Sequence, residues 1–154
     1  QGIPEAICAA FLDTAQNGAA TVDWFGFTAG VFQKIDEADK PKVDYSQAPA
    51  QAKPARGSDF YIGSYANPYY GPLSVAAENG GLFLELGPAG STTKFPLNHF
   101  DGDTFSFESI GENANGLAGA IFASAGEAPG AGGTASSVRL DFYDPTGLGT
   151  FTRG

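Results

Sequence analysis

Ser91-Thr92-Thr93-Lys94 is the arrangement in this chain that comes nearest to a catalytic motif. Ser-x-x-Lys works on a helix, where residues three apart share a face and the lysine amine can reach the serine hydroxyl. The setting here predicts a strand instead. Pro88 and Gly90 precede the motif, Pro96 follows it, and Phe95 and Leu97 alternate with polar neighbours. On a strand an offset of three sends Ser91 and Lys94 to opposite faces, about 10 Å apart along the chain, and they cannot act as a pair. Tyr65-Ala66-Asn67 has the form of a Tyr-x-Asn element that completes such sites, but it lies before the serine, and neither Lys-Thr-Gly nor His-x-Gly follows. A strand ending in an Asn67-Pro68 turn accounts for it.

His99 is the only histidine, which excludes a multi-histidine metal centre and leaves a single base or, more plainly, a hydrogen bond at a barrel rim. Asp101 and Asp103 flank Gly102, yet a Ca²⁺ site needs six or more oxygens and no longer ligand pattern continues from them; turn chemistry explains both. The stretch from Gly87 to Lys94 lacks phosphate-loop spacing, so no nucleotide and no other cofactor is expected. Tyr65, Tyr69 and Tyr70, with Phe60 and Tyr61 just upstream, form the densest aromatic cluster. Two readings stay open: rings that fill the core and plug a barrel end, or a surface for a ligand or neighbouring domain at the barrel mouth. Tyr65, Tyr69, Tyr70, His99 and Phe100 are therefore the candidate contact residues, and no residue is assigned a catalytic or metal-binding role.

The elements that must carry these residues follow from composition and period. Of 154 residues, 22 are Gly and 10 Pro, against 16% charged, a mixture that favours short strands joined by turns over a helical bundle. The net charge of −9 repels phosphate backbones and anionic headgroups, so neither nucleic acid nor a membrane is an expected partner. A single cysteine, Cys8, allows no internal disulfide. The chain opens at Gln1 and contains no methionine, as expected of a piece processed or excised from a longer product.

Residues 3–17 read as a helix, with Pro4 in its first turn, Ile3, Ile7 and Phe11 on one stripe, and Gly18 to end it. Thr21 is placed to cap a second helix whose stripe runs Trp24, Phe27, Val31, Ile35, and which ends in solvent at residues 36–40. Residues 41–57 form an Ala/Pro-rich linker whose stretch 46–55 has nothing to bury. Beyond it the hydrophobic period changes to two and eight short strands follow, with inward sets Leu73/Val75, Leu82/Leu84/Leu86, Phe95/Leu97, Phe105/Phe107, Leu117/Ile121, Val138/Leu140/Phe142 and Phe151. Asn79-Gly80, Asp101-Gly102 and Asp144-Pro145-Thr146-Gly147 mark hairpins. Eight antiparallel strands with one apolar face leave two raw edges unless the sheet closes, so the expected fold is mainly β: an eight-stranded up-and-down barrel after two N-terminal helices. The organisation is residues 1–40 helical, 41–57 linker and 58–154 barrel, with residues 124–135 a Gly/Ala-rich loop.

Four blocks carry a resemblance: residues 61–73 (YIGSYANPYYGPL), 84–88 (LELGP), 99–105 (HFDGDTF) and 143–151 (YDPTGLGTF). Over residues 59–154 the chain resembles the lipocalin-like C-terminal domain, of the DUF3471 type, of serine β-lactamase-like and penicillin-binding-protein-related hydrolases. Residues 2–13 with Asp23-Trp24 resemble the helical connector that follows the catalytic domain there, and Phe100 stands where family members often carry Trp. The resemblance implies an accessory domain of an exported, periplasmic or secreted, serine hydrolase. The catalytic Ser, Lys and Tyr would lie upstream, the barrel would pack on or gate the catalytic domain of the same chain, and homo-oligomer contacts are possible. The competing expectations are a lipocalin-type barrel that binds a small apolar ligand, which the inward phenylalanines oppose, and an oligomerisation module built on the helices.

Overall fold

The computed structural model describes residues 2–38, 42–111, 114, 116–125 and 133–154; most of the loop expected at 124–135 and the end of the second helical segment at 39–40 lie outside the described residues. The chain divides into two compact units, Gln1–Lys40 and Pro41–Gly154.

The first unit is a helical hairpin of α1 (Ile3–Asn17) and α2 (Trp24–Ala38). Pro4 lies in the first turn of α1, and Gly18, at φ 78°, closes it with an N–H bond to the Thr14 carbonyl. Asp13 holds the turn between the helices. Its carboxylate accepts from the Thr21 N–H at 2.6 Å, the Trp24 indole at 2.9 Å, the Asn17 amide at 2.8 Å and the Thr21 hydroxyl at 3.0 Å. The cap of α2 differs from expectation: Asp23, next to the helix, accepts from Gly26 N–H at 3.0 Å, while Thr21 is drawn back to Asp13. Neither helix is long and apolar enough to cross a membrane.

The second unit is a closed barrel in which each strand pairs with the next and β8 returns to β1. The strands are β1 (Gly63–Asn67), β2 (Gly71–Glu78), β3 (Gly81–Leu86), β4 (Thr93–Asp101), β5 (Thr104–Glu108), β6 (Leu117–Ala123), β7 (Ser137–Leu140) and β8 (Thr150–Arg153). The expected antiparallel up-and-down barrel is therefore the fold. Asn79 (φ 52°) and Gly80 (φ 82°) make the tight β2–β3 turn that their types foretell. Closure is thinnest at its seam, where β1 and β8 pair only through Tyr65↔Arg153 and Ala66↔Thr152.

The interior is filled with large side chains. Tyr61, Tyr65, Leu73, Leu84, Phe107, Leu140 and Phe151 are fully buried, with Val75, Phe95, Phe105 and Phe122 close behind. Each such aromatic or leucine contributes about 1.5–3 kcal/mol on leaving water.

Two inward sets are corrected. In β6 the inward residues are Ala118, Ala120 and Phe122, not Leu117 and Ile121, because Ala118 and Ala120 stand opposite Phe107 and Phe105, and the barrel has no room for two large layers there. After Leu140 the chain turns into a short 3₁₀ segment, Asp141–Tyr143, so Phe142 sits half-buried outside β7.

The segment 42–57 is strapped to the outside of the barrel. Residues 46–55 are exposed, as their composition predicts, and the anchors flank or punctuate them. Tyr45 is buried, its ring centroid 4.9 Å from that of Phe100 and its hydroxyl bonded to Asp141 Oδ2 at 2.5 Å. Lys53 pairs through its backbone with Asp101 Oδ1 and with Gly102 N–H.

Candidate functional site

Hairpins of an up-and-down barrel turn alternately at its two ends, and this divides the candidate residues. Tyr69 and Tyr70 lie at the β1–β2 turn, the end shared with the β7–β8 connection; His99 and Phe100 lie near the β4–β5 turn at the other. Tyr65 is in the core. The structure does not gather the five into one site.

At the first end, Asn67 uses its whole amide. Nδ2 donates to the Leu148 and Thr150 carbonyls at 2.6 and 2.8 Å, and Oδ1 accepts from the Tyr69 and Tyr70 N–H groups, both at 2.8 Å. The expected strand-ending turn is thus also a clasp between the β1–β2 hairpin and the entry to β8. Tyr70 packs on the core with its ring 5.0 Å from Tyr143 and 6.1 Å from Phe151, while Tyr69, 74% exposed, meets it edge-on at 4.9 Å. Of the tyrosines and the phenylalanine among the five, Tyr69 alone is exposed.

At the second end a polar cluster surrounds Tyr61. Its hydroxyl donates to Asp103 Oδ1 at 2.7 Å and accepts from Arg56 N–H at 2.8 Å, while Arg56 Nε meets Asp103 Oδ2 at 3.2 Å and its guanidinium covers the Phe60 ring. Burial, and then the Asp103 acceptor, push the Tyr61 phenol above the ordinary tyrosine range, so it stays a neutral donor. Beside it, Arg153 donates to the carbonyls of Ala135, Ile62 and Phe60 and to the Tyr65 hydroxyl, which itself donates to the Tyr61 carbonyl. His99 is exposed, its Nε2 3.1 Å from the Gly102 carbonyl; since a carbonyl only accepts, Nε2 carries the proton. Phe100, half-buried, supports Tyr45.

Lys94 binds Glu78 and lies 4.3 Å above the Phe83 ring, opposite Glu85 in the sheet. Ser91 is in the loop before β4, its N–H on the Pro88 carbonyl. The lysine amine is thus committed to a carboxylate and a ring. Among the described residues no group of three or more His, Cys, Asp or Glu is placed to hold a metal. These arrangements position and close a barrel, with no activated nucleophile and base among them. Arg153 and Tyr45 were missed in sequence because their side chains reach partners as far as 93 and 96 residues away, whereas Asn67 was read as the end of a strand from its Asn-Pro dipeptide and only its bonds to Leu148 and Thr150, 81 and 83 residues on, were not.

Residues 47–143 match the family described as a domain of unknown function, DUF3471. The chain belongs to that family. The DUF3471 match covers the strap from residue 47, all of β1–β7 and the 3₁₀ segment, and leaves the helical hairpin outside. Among solved structures the chain is similar to the C-terminal domain of penicillin binding protein Rv0907, at 37% identity and a TM-score of 0.57, over 73% of this chain and 100% of that one. No curated protein matches. For this DUF3471 chain the likeness supports a C-terminal domain related to those of penicillin-binding proteins.

Proposed function

We propose that this chain is the non-catalytic accessory C-terminal domain of an exported serine hydrolase of the β-lactamase and penicillin-binding-protein type, and that its barrel packs on or gates the catalytic domain of the same polypeptide. The observation that carries the proposal is the 37% identity to a penicillin-binding-protein C-terminal domain, the whole of which is matched by 73% of this chain. The geometry is consistent with it. Lys94 is engaged by Glu78, Tyr65 is buried, and the open aromatic, Tyr69, lies at a barrel end where a neighbouring domain can cover it. In this reading Tyr69 and Tyr70 at one end, or His99 and Phe100 at the other, supply the domain contact, and Tyr65 supports them from within. A ligand carrier is disfavoured by an interior filled with Tyr61, Tyr65, Phe107, Phe122 and Phe151.

The test is hydrolysis of nitrocefin and p-nitrophenyl esters by the isolated chain. The proposal expects no turnover above buffer. Turnover that disappears in Ser91→Ala would place catalysis in the barrel and overturn it.

A further inference from the structure

Asn-Gly occurs three times in the chain, at residues 17–18, 79–80 and 115–116. The step is chemically labile, because glycine has no side chain to keep its backbone nitrogen from the amide carbon of the asparagine before it. The fold treats the first two differently; residue 115 lies outside the described residues. At the end of α1 the Asn17 amide donates to Asp13 Oδ1 at 2.8 Å, and the Gly18 N–H donates to the Thr14 carbonyl at 2.8 Å. Both groups that would react are engaged, and Asp13 is itself fixed by Thr21 and Trp24. In the β2–β3 turn Asn79 and Gly80 are exposed, and a Cβ at Gly80 would meet nothing within 4 Å. Among the described residues, neither the Asn79 amide nor the Gly80 N–H has a hydrogen-bond partner.

We propose that Asn79 is a modification site, where the turn converts asparagine into a mixture of aspartate and isoaspartate with water as the only co-reactant. The Gly80 nitrogen gives up its proton and bonds to Asn79 Cγ, the Cγ–Nδ2 bond breaks, and Nδ2 leaves as ammonia. Water then opens the five-membered imide, its hydroxyl adding to a ring carbonyl carbon and its proton returning to the ring nitrogen. Attack at the side-chain carbonyl gives aspartate, and attack at the main-chain carbonyl gives isoaspartate. Ring closure swings the peptide plane after Asn79, so it starts from an opened turn. A hairpin end is where a sheet opens most readily, and here the pair next to the turn is Glu78↔Gly81. The products differ in consequence. Aspartate tolerates the left-handed φ of 52° at this position and adds one negative charge beside Glu78, which Lys94 already binds. Isoaspartate lengthens a two-residue loop by one backbone methylene; since loop length sets register, it disturbs the Ala77↔Leu82 and Glu78↔Gly81 pairs.

The test is incubation of the folded 154-residue chain at neutral and at mildly alkaline pH, with peptide mass spectrometry and electron-transfer fragmentation to tell the two linkages apart. The proposal expects residue 79 to convert about tenfold or more faster than residue 17, with both linkages present and a rate that rises with pH. Asp13→Ala, which frees the Asn17 amide, should narrow that gap. Asn79→Gln should suppress the conversion at residue 79, because its imide would need a six-membered ring. Residue 79 left intact while the urea-unfolded chain converts it would show that the turn protects, and would overturn the proposal. So would equal rates at residues 17 and 79, or aspartate without isoaspartate, which is plain hydrolysis of the amide.

Discussion

Asn67 shows what a single side chain contributes here. Two donors meet two carbonyls and one oxygen meets two N–H groups, all between 2.6 and 2.8 Å, at a position only 6% exposed. Asn67→Asp keeps the shape and removes both donors, leaving the Leu148 and Thr150 carbonyls against a carboxylate. The expected loss is about 2–4 kcal/mol of unfolding free energy by denaturant titration. Arg153 at the seam is equally particular, since its planar fork serves four acceptors. Arg153→Lys, which keeps the charge, is expected to lose about 1–3 kcal/mol in the same measurement, whereas a role for charge alone predicts no change. Neither residue type announces such work in sequence, because its partners are brought by the closure of the barrel.

Among the elements, the hairpin turn responds to acid. Asp13 is held well below the ordinary carboxylate range, first by the Trp24 indole and then by the Thr21 N–H, against a smaller opposing effect of burial. A depressed folded value means the carboxylate stabilises the turn fully above the unfolded carboxylate pKa of about 4 and loses that contribution as pH falls below it. Trp24 is the only tryptophan, so its fluorescence should report the loosening of the turn as pH falls from about 4 toward the depressed folded value, and Asp13→Asn should flatten that change. The strap has its own test. A Cβ at Gly119 would overlap the Tyr45 hydroxyl and ring, so Gly119→Ala should lift Tyr45 from the barrel, at a cost of about 1–3 kcal/mol, and render residues 42–57 more open to proteolysis.

Elements were legible wherever local chemistry decides them. Pro4 and Gly18 bound α1, Asn79-Gly80 turns a hairpin, and a period of two marks most of the strands. Legibility failed where a distant neighbour decides: Phe105 and Phe107 select alanines over the larger Leu117 and Ile121, and Asp13 diverts Thr21 from its cap. The candidate contact residues were legible as aromatic density but not as a site, since alternation of the hairpins parts Tyr69 and Tyr70 from His99 and Phe100.

Taken whole, the molecule separates its properties. Residues 58–154 hold three basic and ten acidic groups and a core of rings, and residues 1–57 hold five and seven. The excess acidic charge therefore belongs to the residues of the barrel far more than to those of the hairpin and strap. The central claim is that the catalytic serine of the parent hydrolase lies outside this chain. Labelling the full polypeptide with a fluorescent β-lactam or fluorophosphonate, followed by peptide mass spectrometry, tests it most directly. The account predicts one acylated serine upstream of Gln1, within Ser-x-x-Lys; label on Ser91 or any other serine of these 154 residues would contradict it.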